Sequence, residues 1–192
     1  MRRYNPLIKG AIITALLGSP LIARQSSQPS YLENQTQYQT NDFKKDSDKV
    51  LLARMLYGET GGRLSLEETV AIANTAVRRS KDGKKWNGET LRDSILAPKQ
   101  YSCFNSNDPM LRLLKNPYAN NKTGFDRCLE IAEGVLNGKY QDTSKGATHY
   151  FNPKKASPPW QKSMQKIGHL KTPKGQSVHV FYKESPQKAK KK

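Results

Sequence analysis

The sequence predicts an α+β fold, with helices first and a small antiparallel β-pair last. Three observations predict it. Apolar residues recur at helical spacing from Val50 to Leu136. Cap signals bracket the helical stretches: Gly61-Gly62 after the first, Ser65 with Glu68 before the second, Asn137-Gly138 after the last. Beyond Gly146 the stretches are short, and rich in aromatic and β-branched residues.

Val50, Leu51, Ala53, Met55 and Leu56 form the first helical pattern, and the two glycines stop it. Ser65-Leu66-Glu67-Glu68 reads as a capping box, with Ser65 at N-cap and Glu68 at N3. It opens a helix through Val70, Ala73, Ala76 and Val77. Thr90 to Leu96 reads as a short helix ended before Pro98. Asp108-Pro109 fits an N-cap and first helical position, leading into Leu111 to Leu114. Phe125 to Leu136 gives a further helical pattern. Ala147–Phe151 and Val178–Tyr182 are the two expected strands. Val178, Val180 and Tyr182 then share one face, with His179 and Phe181 on the other.

At 192 residues the chain has room for one domain with appendages. Hydrophobic residues make up only 35 %, so part of the chain lies outside a packed core. No apolar run reaches the ~20 residues that span a bilayer, which excludes a multi-span membrane protein. Residues 1–23 carry Arg2, Arg3 and Lys9, then an apolar run from Ala11 to Ala23. That order reads as a signal peptide, or as an N-terminal anchor if uncleaved. Export to the periplasm or the extracellular side follows. Residues 24–45 are polar and Gln-rich, and read as a disordered linker. Residues 46–183 form the domain, and 184–192 a basic tail. The net charge is +17. The domain itself holds 23 Lys and Arg against 13 Asp and Glu, so its basicity is its own. A polyanionic partner follows. For an exported protein, anionic cell-envelope polymers fit that charge better than nucleic acid, and the usual nucleic-acid motifs are missing. The membrane enters only through the N-terminal segment.

Glu59 ends the first helix, beside the negative end of its dipole. Partial burial near Tyr57 and Met55 would add to the effect, and both favour the protonated acid. Such an acid suits glycosidic cleavage, although position alone fits a solvated glutamate at a frayed helix end better. His149 and His179 lie in the two strands and could meet across them; His169 falls in a loop. Three histidines could build an open zinc site. Their spacing lacks any tight ligand motif, so no metal or other cofactor is expected. Tyr150, Phe151 and Trp160, and Tyr101 with Phe104, could floor a groove for sugar rings, or belong to the core. Cys103 and Cys128 are the only cysteines. In an exported protein a bridge between them is expected, worth ~3 kcal/mol.

Several segments line up as a series. Leu52 to Glu59 (LARMLYGE), Val70 to Arg79 (VAIANTAVRR), Pro98 to Asn105 (PKQYSCFN) and Gly146 to Pro153 (GATHYFNP) are followed by Trp160, Ile167-Gly168 and His179-Val180-Phe181-Tyr182. Together they resemble the SleB/CwlJ-like cell-wall hydrolases, the spore-cortex-lytic type, over the whole of residues 46–183. The resemblance implies a small lysozyme-like domain with Glu59 as catalytic residue. It implies cleavage of peptidoglycan glycan strands between N-acetylmuramic acid and N-acetylglucosamine, by a lytic transglycosylase with one glutamate. Tyr101, Ser102, His149, Tyr150 and His179 become candidates for binding sugar hydroxyls and acetamido groups. Leu170 to Ser177 look inserted relative to the family, so His169 and His179 compete for its final histidine. His179 is preferred because the strand pattern follows it. Asp108, Glu130, Glu133 and Asp142 offer no motif for a second catalytic carboxylate. Two other functions fit the residues: a zinc-dependent amidase that cuts the peptide stem through the histidines, and a non-catalytic basic cell-wall binding protein.

Overall fold

The computed structural model describes residues 36–185. The expected export segment, residues 24–35 of the linker and residues 186–192 lie outside the described residues. Five helices come first: α1 (Asp48–Thr60), α2 (Leu66–Arg79), α3 (Leu91–Leu96), α4 (Met110–Lys115) and α5 (Pro117–Leu136). Three strands follow: β1 (His149–Phe151), β2 (Gln165–Thr172) and β3 (Gly175–Lys183). The α+β order is therefore as the sequence predicts, with one strand more than the expected pair.

Helix α1 is the axis of the domain. Leu51, Leu52, Ala53, Met55 and Leu56 point in every direction around it, yet all are fully buried. A helix apolar on all sides must be enclosed. Helix α5 runs along it, and α2, α3 and α4 close the remaining sides. The buried Arg54, 1 % exposed, is the exception within this apolar axis. Its guanidinium donates to Asp46 at 2.7 Å, to the Tyr38 carbonyl at 2.7 Å and to the Leu114 carbonyl. A buried cation needs such saturation.

Arg54 also corrects the linker boundary. Residues 36–45, read as disordered for want of apolar density, pack on the domain. Tyr38 meets Tyr118 and Phe125 edge-on, at 4.9 and 5.2 Å between centroids, and Phe43 meets Phe104 at 5.2 Å. Two aromatic anchors suffice where the average composition is polar. The basic tail begins later than expected as well: Glu184 pairs with Lys84, and Ser185 donates to the Ser163 carbonyl.

The helix ends follow their caps. Gly61 is left-handed at φ +61° and donates to Tyr57 O, closing α1. Gly62, at φ +70°, lies so close to Gly124 that a Cβ would stand 2.6 Å from backbone atoms of α5. Only glycine meets both demands, and the contact fixes the end of α1 against α5. Ser65 caps α2 through Glu68 N–H, but the reciprocal half of the expected capping box is missing. The Glu68 side chain goes elsewhere, as described below. Thr90 and Asp93 do form a full box. Asp108 accepts from Met110 N–H at 2.8 Å, so α4 starts one position later than predicted. Helix α5 begins at Pro117, ahead of Phe125, and bends at Asn121.

The sheet order is β1-β3-β2, antiparallel throughout. Leu170 to Ser177, read as an insertion, are the outer half of a β2–β3 hairpin that turns over Pro173-Lys174. The strand went unseen because Gln165 to Thr172 alternates weakly, and register shifts around Ile167 and Leu170 disrupt it further. His169 is therefore in β2, exposed, with its ring bonded to the Ser177 carbonyl at 2.8 Å. The two faces of β3 divide as predicted at its inner end. Ser177, His179 and Phe181 are buried toward the helices. Tyr182 is covered on the other face by Phe151 and Trp160, each 5.5 Å away.

Candidate active site

A cleft of about 970 Å³ opens at the C-terminal end of α1. One wall is the segment from Lys99 to Met110; the other is β1, the inner end of β3 and Trp160. Glu59 stands on its floor, where α1 ends.

Three local features hold it there. The α1 C-cap places Glu59 in the last turn, where the helix dipole opposes its charge. Gly58 has no side chain, so Cys103 packs directly on the helix; a Cβ at Gly58 would lie 2.6 Å from Cys103 Sγ. That seat brings the wall against the end of α1 and sets Sγ 4.0 Å from Glu59 Oε1. The pKa of Glu59 is raised, first by burial. Asp108 across the cleft raises it further, while Tyr150, His179 and Lys155 pull it back. The Tyr150 hydroxyl faces the carboxylate without completing a hydrogen bond. The net effect holds the acid form above the ordinary carboxylate range.

The sequence-predicted binding residues converge here. Tyr101, Ser102, His149, Tyr150 and His179 all line the cleft with Glu59. The hydroxyls of Tyr101 and Tyr150 are buried and have no hydrogen-bond partner among the described residues, and the same holds for Nε of Arg79, which also lines the cleft. Buried polar atoms are ordinarily satisfied, so these mark positions for substrate donors and acceptors. Burial lowers the His149 pKa to about 4, helped by Arg79 and Lys84, and the ring is neutral at physiological pH. It bonds Thr148 Oγ1 at 3.0 Å and lies 5.0 Å from Trp160. Phe151 and Trp160 belong to the cleft lining, but Phe104 turns away to Phe43.

The two strand histidines do not meet. His149 pairs with Tyr182, and it is Tyr150 that lies edge-on to His179, at 5.2 Å. His179 instead meets Glu68. One carboxylate oxygen contacts His179 Nδ1 at 2.8 Å and accepts from its backbone N–H at 2.8 Å; the other accepts from Val178 N–H at 3.1 Å. Glu68 is 2 % exposed. Burial pushes its pKa up, but the hydrogen bonds from His179 and Val178 outweigh it and the net shift is down. An ionised Glu68 can only accept, so Nδ1 carries the proton and the other ring nitrogen faces away from the pair. Sequence reading assigned Glu68 to a helix cap. Its partner is 111 residues away, and no local spacing signals the contact.

Of the four other carboxylates considered, Asp108 lines the cleft. Glu130 lies by Lys139 and Tyr140, Glu133 by Lys49, and Asp142 by Arg78, all outside it.

Cys103 and Cys128 are free, buried thiols, against the expected disulfide. Cys103 lies on Gly58, whereas Cys128 lies beside Thr60. Those positions are about 200° apart around the helix, so α1 separates the sulfurs. Burial raises both thiol pKa values, that of Cys128 to about 12. The unfolded, unreduced protein should therefore react with two equivalents of a thiol reagent and the native protein only slowly. Fewer than two in denaturant would restore the bridge.

Residues 65–182 match the sequence model of the Cell Wall Hydrolase family, and the chain belongs to that family. It is thus an enzyme that degrades peptidoglycan. The match begins at Ser65, just past Glu59. Among solved structures, the chain is similar to the catalytic domain of the germination-specific lytic transglycosylase SleB from Bacillus anthracis. The identity is 22 %, over 71 % of this chain and 93 % of that one, with a TM-score of 0.49. The catalytic domain of Bacillus cereus SleB is 18 % identical over 76 % and 96 % of the two chains, with a TM-score of 0.45. No curated protein sequence matches the chain.

Proposed function

We propose that this cleft cuts the glycan strand between N-acetylmuramic acid and N-acetylglucosamine as a lytic transglycosylase, with Glu59 as acid and then base. The observation that carries the reading is Glu59 itself, a half-buried carboxyl held toward its acid form on the floor of a cleft edged by aromatic rings. Protonated Glu59 gives its proton to the glycosidic oxygen as the bond to the muramoyl C1 breaks. The resulting carboxylate faces the cationic C1 and takes the proton of the muramoyl C6 hydroxyl as that oxygen closes on C1. A 1,6-anhydro ring forms, and Glu59 ends as it began. One carboxylate thus does the work that ordinary glycosidases divide between two. Tyr101, Tyr150 and the free nitrogen of His179 are placed to hold hydroxyl and acetamido groups, and Trp160 to stack on a ring.

Asp108 supports a second reading. It shares the cleft and lies near enough to raise the Glu59 pKa. As a base for an attacking water it would make the enzyme a hydrolase. Mass spectrometry of digested peptidoglycan separates these outcomes. Anhydro-muramic ends are expected. Reducing ends would transfer the role to Asp108, and free stem peptides would replace both schemes by an amidase.

For localisation, we propose export through residues 1–23. The basic-then-apolar order of that segment supports it, and recovery of tagged protein wholly in the cytoplasm with an intact N-terminus would exclude it.

A further inference from the structure

Beyond the cleft rim lies a second groove, of about 830 Å³, between the turn around Trp86 and helix α3. Trp86 and Gln100 line both. The indole is 68 % exposed, by far the most open large apolar side chain among the described residues. An exposed tryptophan costs free energy in water and is a common means of holding a ring face. The groove floor is Leu96, Ala97 and Pro98, and its edges carry Lys44, Lys85 and Arg92. Nε of Arg92 is buried and has no partner among the described residues. The guanidinium also donates to the Asp46 carbonyl at 2.9 Å, and the acidic residue lining the groove, Asp93, is already committed to Thr90 in the helix cap. The groove is therefore cationic, with an aromatic platform at the point where it joins the cleft.

We infer that this groove binds the stretch of glycan strand beyond the scissile bond, with Trp86 stacking on a sugar ring and the cations meeting stem-peptide carboxylates. The inference rests on the proposed substrate of the cleft. The strand fits for two reasons. It is continuous, as the two grooves are, and it combines neutral ring faces with anionic stems. A free polyanion would satisfy the cations but leave the indole unused.

The test compares wild type, Trp86→Ala, Trp86→Phe and the double variant Lys85→Glu/Arg92→Glu on three probes: long stem-bearing strands, the same strands stripped of stems by an amidase, and a stem-free tetrasaccharide. Trp86→Ala should lose about tenfold in kcat/KM on long strands, mainly through KM, and clearly less on the tetrasaccharide. Trp86→Phe should recover most of the loss. The charge reversal should abolish any preference for stem-bearing over stripped strands. Equal losses by Trp86→Ala on long and short substrates, or an unchanged stem preference in the double variant, would overturn the inference. Binding of the same strands to Glu59→Gln, with and without Trp86→Ala, reads the groove without turnover. If wild type cuts no strand, the cleft reading falls, and the binding comparison still decides the groove.

Discussion

Glu59→Gln should lower glycan cleavage by about 10²–10⁴-fold, the usual contribution of general acid–base catalysis. Glutamine keeps the size and one acceptor but can neither give nor take the proton. Because the same atom serves both halves of the proposed reaction, neither half survives the exchange. Binding to peptidoglycan should persist, since the aromatic walls and the basic rim are untouched. Stability should hold or rise slightly, because a charge disfavoured by burial and by the helix end disappears. In wild type the raised pKa of Glu59 keeps the acid present above the ordinary carboxylate range. Activity should therefore fall as pH rises through that raised value. The measurement is muropeptide release at several pH values, alongside sedimentation with sacculi. Near-normal release by a folded, wall-bound Glu59→Gln protein would reject the scheme.

Glu68→Gln should produce the largest loss of stability. The carboxylate serves three donors at once. Glutamine offers one oxygen, and its amide N–H groups face donors. The expected cost is about 2–4 kcal/mol, or a Tm lower by roughly 5–15 °C for a domain of this size. The sign of the pH effect follows from a folded pKa lower than the unfolded one. The stabilisation is fully present above the unfolded carboxyl value, about 4.3. It is lost as pH falls through the lower folded value. The gap between wild type and variant should therefore close in acid. Thermal unfolding at neutral and acid pH measures both effects. A variant within 2 °C of wild type at neutral pH would show that the clamp on His179 contributes little.

What the sequence made legible was local. The helix signals at Gly61, Ser65 and Thr90 act within one turn, and each lies where it was read. Glu59 was legible as an acid at a helix end, because the dipole argument needs only the end. What long-range packing decides was not legible. Strand β2 forms because β3 is there to pair with it, and its own alternation is too weak to announce it. Glu68 makes a good N3 residue, and nothing nearby says that a histidine on β3 will take its side chain. The cysteine pairing failed for a related reason. Spacing along the chain does not say that a helix will pass between two sulfurs. Residues 36–45 show the limit of average composition, since Tyr38 and Phe43 outweigh their polar neighbours.

The clamp on Arg54 has a consequence for where the enzyme can be cut. Phe43 rests on Phe104, next to the cysteine that seats against Gly58 beside Glu59. Thr40 N–H donates to the Lys115 carbonyl at 2.9 Å, and Arg54 gathers Tyr38, Asp46 and Leu114 into one joint. The leading segment is thus a buttress standing behind one wall of the cleft. A fragment trimmed to Asp46 would keep every residue that lines the cleft around Glu59, yet lose the brace that holds that wall in place. The smallest working unit is therefore expected to begin upstream of the first helix, at or before Tyr38, and glycan cleavage by fragments starting at 36 and at 46 checks it.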